Sequence, residues 1–420
     1  MSSETVCRVC GGASVETVLD LGDQPHCNSL LLAEQLDQQE PCYPLRLGFC
    51  HDCTTVQIDH TVPKETMFSE YLYVSGTTRT LREHFADSAG RLKQQVHLHP
   101  GDLVVDIGSN DGTWLAEWQN LGMSVLGVEP ARSIAAQANK AGIPTVNDFF
   151  DADVARQILE EHGAPKLVTA AGVFFHLEEL HSATEGVAEF CRAGATFCVQ
   201  AIYLGEMLRG NEFDNIYHEH LTYWTVRSIG ELFKRHGLEV FSANLVPIHG
   251  GTLELLVGAE GANEIQPSVA EFRSREDALG YGEIETYRRF ANKVWEMRDG
   301  LLAILRDYKA QGKTVHAFGA PAKGATLLNS FGITTELVPV AEEKNPLKVG
   351  RWIPGARIPI VDEESVESPP DAYLILPWNF LGEFLKFRRD YILGGGAFIV
   401  PVPEPTVIDA SNYAEHVPDE

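Results

Sequence analysis

The sequence predicts an α/β protein with a Rossmann-like central sheet, flanked by an N-terminal zinc-binding module and a C-terminal Rossmann-like α/β domain. Three observations carry that expectation. Two C-x-x-C pairs lie near the start, and two separate stretches, around 103–118 and 313–329, read as apolar run, glycine turn and amphipathic helix.

A chain of 420 residues exceeds one ordinary core. The expected division is a zinc-binding module over 1–75, a cofactor-binding domain over 76–262, a helical connector over 263–308 and an α/β domain over 309–420. With 44% hydrophobic and 22% charged residues, the chain has enough apolar surface to offset the entropy of ordering it. A formal net charge of −26, with no dense Lys/Arg run, argues against nucleic acid as a partner. No segment approaches the length that spans a bilayer, and MSSETVCRVCGG lacks a signal pattern, so a cytoplasmic protein without a membrane partner is expected.

Cys7-Arg-Val-Cys10 and Cys50-His-Asp-Cys53 let both thiolates of each pair reach one tetrahedral ion. Four thiolates close the coordination sphere, which predicts a structural zinc rather than a catalytic one. Cys27, Cys42, His26 and His51 are spare ligands for that site, and unrelated buried thiols are the plain alternative.

In the central domain, Leu103 to Trp114 gives strand, loop and helix start, and the run Val125–Val128 ends at Glu129, where a doubly wound sheet places a ribose-binding acid. The loop Asp106-Ile-Gly108-Ser-Asn110-Asp111-Gly112 departs from G-x-G-x-x-G and carries two carboxylates, which disfavour a pyrophosphate. A sulfonium cofactor has no phosphate and carries positive charge. The spacing resembles motif I of class I methyltransferases, so S-adenosylmethionine is the expected cofactor. Glu129 then matches the ribose acid, and Asp148-Phe149 the adenine side. Turn glycines in a nucleotide-free sheet are the competing reading.

Strands over 166–172 and 195–201 should end at the same crevice. Beyond them lie His176 and the segment Tyr217-His218-Glu219-His220. Methylation at carbon needs a base that removes a proton beside a carbonyl, and His220 or Tyr217 suits that task. Glu219 would fix the histidine tautomer or bind a substrate hydroxyl. The same His-x-His pattern also suits a metal, and His176 also suits a core position.

From Lys313 a second strand-turn-helix includes Gly319-Ala-Pro-Ala-Lys323-Gly324, followed by strand candidates at 337–341, 357–361, 372–376 and 397–400, all expected to be parallel. Ala325 stands where a Walker loop needs Lys, which argues against ATP hydrolysis. Lys323 suits a phosphate or a sugar hydroxyl, or a solvated surface. Between the domains, 268–308 has helical spacing.

Taken in order, the four-cysteine module, Asp106-x-Gly108-x-x-x-Gly112, Tyr217-His-Glu-His220-Leu, His249-Gly-Gly251 and Gly319-Ala-Pro-Ala-Lys-Gly324 resemble the sugar-nucleotide C-methyltransferases of antibiotic deoxysugar pathways. The resemblance spans nearly the whole chain. It implies a thymidine diphosphate-linked 4-keto-deoxysugar as acceptor, methylated at carbon 3 or carbon 5. His220 and Tyr217 map onto the family's catalytic residues, with Tyr71 and His176 as further active-site positions. His249, Gly319 and Lys323 are candidates on the substrate side. Gly172 replaces a family Asn, and Glu342-Glu-Lys-Asn-Pro346 replaces Asp-Arg-Asn-Pro, so the sugar or its orientation is expected to differ. The competing classes are a binding or scaffold protein on the same fold, a dinucleotide oxidoreductase, and a methyltransferase for another keto-containing natural product.

Overall fold

The computed structural model describes residues 5–64, 67, 76, 79–248 and 250–417, and all structural statements concern those. Tyr71 and His249 lie outside them. At the N-terminus, β1 (Val15–Pro25) and β2 (Cys42–Cys50) form an antiparallel hairpin, with Val15 opposite Cys50 at one end and Pro25 opposite Cys42 at the other. β3 (Val56–Ile58) pairs with β2. Leu45, Leu47 and Phe49 alternate along β2 and are buried, which is the two-residue period of a one-sided sheet.

The central sheet follows α1 (Arg79–Gln95). Its parallel part is built as β4 (Leu103–Ile107), α2 (Thr113–Asn120), β5 (Ser124–Val128), α3 (Arg132–Lys140), β6 (Thr145–Val146), α4 (Ala152–His162), β7 (Leu167–Ala171), α5 (Leu180–Arg192) and β8 (Thr196–Ile202). α6 (Leu204–Arg209), β9 (Thr222–Tyr223), α7 (Val226–Lys234), β10 (Leu238–Val246) and β11 (Thr252–Ala259) follow. The strand order is β10-β11-β8-β7-β4-β5-β6, with β11 antiparallel between β8 and β10. Strands covered on both faces read as unbroken apolar runs, which is why β4, β5 and β7 were visible in sequence. The order reverses at β4, between β5 and β7, and a doubly wound sheet binds ligands at that switch point. β9 leaves this sheet and completes the N-terminal one, pairing Val56 with Tyr223.

After α8 (Pro267–Ala278) and α9 (Ile284–Ala310) comes a third sheet of β12 (Val315–Phe318), β13 (Ala341–Glu343), β14 (Ile360–Asp362), β15 (Ala372–Ile375), β16 (Ala397–Val400) and β17 (Thr406–Ile408). Its order is β14-β13-β12-β15-β16-β17. The four expected strands pair in parallel, and β17, which was not among them, adds an antiparallel edge to β16. The strands expected at 337–341 and 357–361 begin later, at Ala341 and Ile360. Pro339 and Pro359 have no N–H to give a ladder, so pairing starts beyond each of them. α10 (Ala322–Phe331) follows the glycine turn after β12.

α9 does more than connect. Tyr287, Phe290, Val294, Met297, Leu301 and Leu305 recur at three- and four-residue spacing and are buried. They pack in one cluster with Leu19, Leu47 and Ile58 of the N-terminal sheet and Ala317, Leu374 and Ile399 of the third sheet. The four cysteines sit instead in the cluster of the central sheet. Among the described residues, no helix is long and apolar enough to cross a membrane.

Candidate active site

The two C-x-x-C pairs make the same turn. Gly11 donates its N–H to the Cys7 carbonyl at 2.9 Å, and Thr54 donates to the Cys50 carbonyl at 2.9 Å. The pairs face each other, with Cys7 Sγ 3.5 Å from Cys53 Sγ and Cys10 Sγ 3.6 Å from Cys50 Sγ. All four sulfurs lie within 4.8 Å of one another. A tetrahedral zinc with bonds of about 2.3 Å needs sulfurs about 3.8 Å apart, so the set fits that ion. Burial pushes the Cys50 thiol up to about 11. The neighbouring Cys7 sulfur and burial push Cys53 up as well, and a bound cation reverses both effects. Cys27 and His26 are not spare ligands here: they lie with Glu219 in a separate buried group.

At the switch point, Gly108 and Gly112 adopt φ of +67° and +80°, a backbone that glycine takes without strain. Gly108 and Ser109 donate to the Val128 carbonyl at 2.8 and 3.1 Å, tying the loop to β5. The Glu129 carboxylate receives the N–H groups of Asn110 at 2.9 Å and Ala131 at 2.7 Å. Burial raises its pKa and those two amides oppose the rise. Asp106 is buried and accepts the Thr169 hydroxyl at 2.6 Å. Burial lifts its pKa to about 7, the Thr169 bond acts the other way, and the Glu129 charge adds to the lift. The Asp111 carboxylate accepts from Thr113 N at 3.2 Å, Thr113 Oγ1 at 2.6 Å and Gly76 N at 3.0 Å. The loop therefore offers an acidic, amide-pinned surface, suited to hydroxyls and a cation. Asp148 is exposed and accepts its neighbour Phe149's N–H at 2.8 Å, while Lys64 Nζ sits 4.5 Å from the Phe149 ring.

Contacts lead from this loop to the candidate reacting groups. A Cβ on Gly108 would meet Val173 Cγ2 at 2.5 Å, so the loop rests directly on the segment after β7. Two residues on, the Phe175 carbonyl accepts Leu221 N–H at 2.6 Å. The segment 217–220 is thereby brought beside the loop after β7. His220 is buried, and its Nδ1–H donates to the Asn215 carbonyl at 2.7 Å. A carbonyl only accepts, so Nδ1 carries the proton and Nε2 is the basic nitrogen. The ring packs tilted by 36° against Tyr217, with centroids 3.8 Å apart, and lies 5.1 Å from His176. His176 Nδ1–H donates to the Glu219 carbonyl at 2.6 Å. Packing lowers the His176 pKa, against the raising influence of Glu219.

Two expectations need correction. Glu219 does not fix the His220 tautomer; the Asn215 carbonyl does, and the Glu219 carboxylate turns to His26 and Asn28. Nor do His218 and His220 converge as a metal pair. His218 Nε2–H donates to the Tyr43 carbonyl at 3.2 Å while His220 faces Asn215, because adjacent turns of this segment pack on different elements. Thr169, Asn215 and Asn28 carried no sequence signal, and His26 was read only as a spare zinc ligand, since each acts through a distant or backbone partner.

Lys323 lies at the start of α10 with its Nζ 3.7 Å from the Trp378 ring centroid. Trp378 donates its Nε1–H to Asp214 Oδ2 at 2.7 Å. Burial lowers the Lys323 pKa, and the charges of Asp214 and Glu212 raise it. Gly319 turns the chain at φ +74°, against Pro377.

A doubly wound sheet with an acidic switch-point loop, a pinned histidine beside it and a closed four-cysteine site defines a methyltransferase built on a zinc-bearing scaffold. Family models match along the chain: "Putative zinc binding domain" over 7–68, "Methyltransferase domain" over 78–243 and "C-methyltransferase C-terminal domain" over 247–403. The C-methyltransferase NovU of Streptomyces niveus is 35% identical over 408 residues, covering 97% of both chains. The chain belongs to this C-methyltransferase family, and it is an S-adenosylmethionine-dependent C-methyltransferase with a zinc-binding module. Among solved structures it is similar to magnesium protoporphyrin IX methyltransferase of Synechocystis PCC 6803 with bound SAM, at 13% identity, 43% of this chain, 79% of that chain and TM-score 0.32. A second is an S-adenosylmethionine-dependent methyltransferase of Clostridium acetobutylicum ATCC 824, at 12%, 43%, 92% and 0.34.

Proposed function

We propose that the chain methylates the carbon beside the ketone of a nucleoside diphosphate-linked 4-keto-deoxysugar, with thymidine diphosphate as the nucleotide. The observation that carries this reading is His220, whose Nδ1–H is held by the Asn215 carbonyl so that Nε2 is the proton acceptor. His220 takes the proton from the carbon next to the ketone, and the bond electrons move into the enolate. Tyr217, packed against the same ring, assists that transfer or steadies the enolate oxygen. S-adenosylmethionine, when bound, would supply the electrophilic methyl group for that carbon.

Asp106, Gly108, Asn110, Asp111 and Gly112 shape the cofactor loop, Glu129 takes the ribose, and Asp148 with Phe149 borders the adenine. His176 and the Glu219 backbone face the acceptor side, and Gly319 and Lys323 contribute to substrate binding; Tyr71 and His249, outside the described residues, are assigned to the acceptor from the family resemblance alone. The nearby Asp214 carboxylate suits Lys323 to a sugar hydroxyl better than to a phosphate. Reduced cysteines at the metal site fit a cytoplasmic setting.

His220→Asn and Tyr217→Phe should each slow turnover by about a hundredfold or more, the usual size for a general base, with cofactor affinity spared. The assay follows loss of deuterium from dTDP-4-keto-6-deoxyglucose labelled beside the ketone, together with product mass. Wild-type exchange and methylation in both variants would place the base elsewhere. Recovery of a dead His220 variant by added metal would replace the enolate mechanism with a metal site.

A further inference from the structure

The N-terminal hairpin ends, opposite its zinc end, against the proposed catalytic segment. His26 and Asn28 directly follow β1, and Tyr43 lies in β2 across from Gln24. Asn28 Nδ2 donates to Glu219 Oε1, and His26 Nε2 lies 3.0 Å from the same oxygen. His26 Nδ1 in turn faces Ser29 Oγ at 3.1 Å. Of the two contacts, only that of Asn28 has hydrogen-bond geometry; His26 Nε2 is a close contact without it. Glu219 and His26 are both buried, at 1% and 6% exposure, so water does not screen either contact. Burial pushes the Glu219 pKa up, but the His26 contact, the charges of His26 and His176 and the Asn28 bond outweigh it and leave the carboxylate below its ordinary range.

We infer that His26 and Asn28 are positioning residues for the catalytic segment. By locking the Glu219 side chain they fix its peptide plane, and the carbonyl in that plane is the acceptor that orients His176. The neighbouring residue is pinned the same way, through His218 to the Tyr43 carbonyl. A carboxylate held from two sides has one rotamer, and its backbone loses the freedom to swing the carbonyl away from His176. The value of this clamp for catalysis rests on the proposed role of residues 217–220; its geometry does not.

The test uses the full-length, zinc-loaded protein labelled with heavy nitrogen at histidine. A slowly exchanging ring N–H signal that vanishes in His176→Phe belongs to His176. In Asn28→Ala that signal should exchange with solvent about tenfold faster or more, with zinc content and cofactor affinity at the wild-type level. His26→Leu should weaken it too, whereas His26→Gln keeps a nitrogen donor in place and should restore it. Where Asn28→Ala does not fold, Asn28→Asp removes the donor at constant shape and takes its place. An unmoved signal in both Asn28→Ala and His26→Leu overturns the inference. So does loss of zinc or of cofactor binding in those variants, which marks general support of the fold. A second zinc per chain that disappears in His26→Gln would make His26, Cys27 and Glu219 a metal site instead. No acceptor is needed for this readout, so it fails independently of the enolate chemistry, which the His220→Asn exchange assay decides.

Discussion

Replacing Gly108 by Ala strikes the point where the proposed cofactor loop rests on the segment leading to the histidines. Two costs can be worked from the structure. The left-handed φ of +67° penalises a non-glycine residue by roughly 1–2 kcal/mol. The new methyl would stand 2.5 Å from Val173 Cγ2, and forcing extra carbon into a packed site adds about 1–3 kcal/mol. If the loop yields rather than the whole fold, about 2–5 kcal/mol falls on cofactor binding, which is roughly thirtyfold to several thousandfold in affinity. Calorimetric titration with S-adenosylmethionine reads this, alongside thermal unfolding. The double variant Gly108→Ala/Val173→Ala removes the crowding but not the backbone cost, so about half of the lost binding free energy should return. Wild-type affinity and stability in Gly108→Ala would refute the account of the loop, and no recovery in the double variant would refute the contact with Val173.

Two further outcomes follow from buried groups. Purified protein should contain one tightly bound zinc per chain, and Cys50→Ser/Cys53→Ser should lose it and melt at least about 5 °C lower, a shift of order 1–2 kcal/mol for a domain of this size; zinc retained in that variant, read by metal analysis, would overturn the ligand set. Glu212 is pushed up to about 8 from 4.5, first by burial and then by the Asp214 charge. The folded chain therefore holds a proton that the unfolded chain releases above its ordinary pKa, so this group's contribution to stability falls as pH rises between about 4.5 and 8. Glu212→Gln keeps the protonated shape and should flatten that decline in melting temperature; an unchanged slope would show that Glu212 ionises freely.

The parts of the molecule that sequence revealed are those set by local chemistry. A strand covered on both faces must be apolar along its whole length, so β4, β5, β7 and β8 announce themselves. Thiolates that share an ion must be closely spaced in pairs, so Cys7, Cys10, Cys50 and Cys53 did too. What sequence concealed depends on partners far along the chain or on backbone atoms. Asn28 meets Glu219 across 191 residues, and nothing local to either predicts it. His220 is oriented by the Asn215 carbonyl, and every residue has a carbonyl. The Glu219 side chain looked like the natural partner for His220 because it is adjacent, yet adjacent residues in a tight turn point apart. The displaced starts of β13 and β14 were readable in principle, since Pro339 and Pro359 both sit where a ladder N–H was required.

The shared core changes what the zinc module means. A hairpin with so small an interior of its own gains little from its apolar residues alone. Leu19, Leu47 and Ile58 are buried because α9 and the third sheet cover them, while the cysteine end is buried against the central sheet. The hairpin is thus wedged between both halves, and β2, nine residues long, separates its two ends by about 27–30 Å. Its inner edge is completed by β3 and then by β9, the strand that begins two residues after His220. On the proposed reading the general base therefore lies on a segment whose sheet partners come from the zinc module, whereas the cofactor loop belongs to the central sheet alone. Zinc loss should accordingly disturb the base before it disturbs the cofactor, because the hairpin loses an anchor while β4, β5 and their loop keep every strand they pair with.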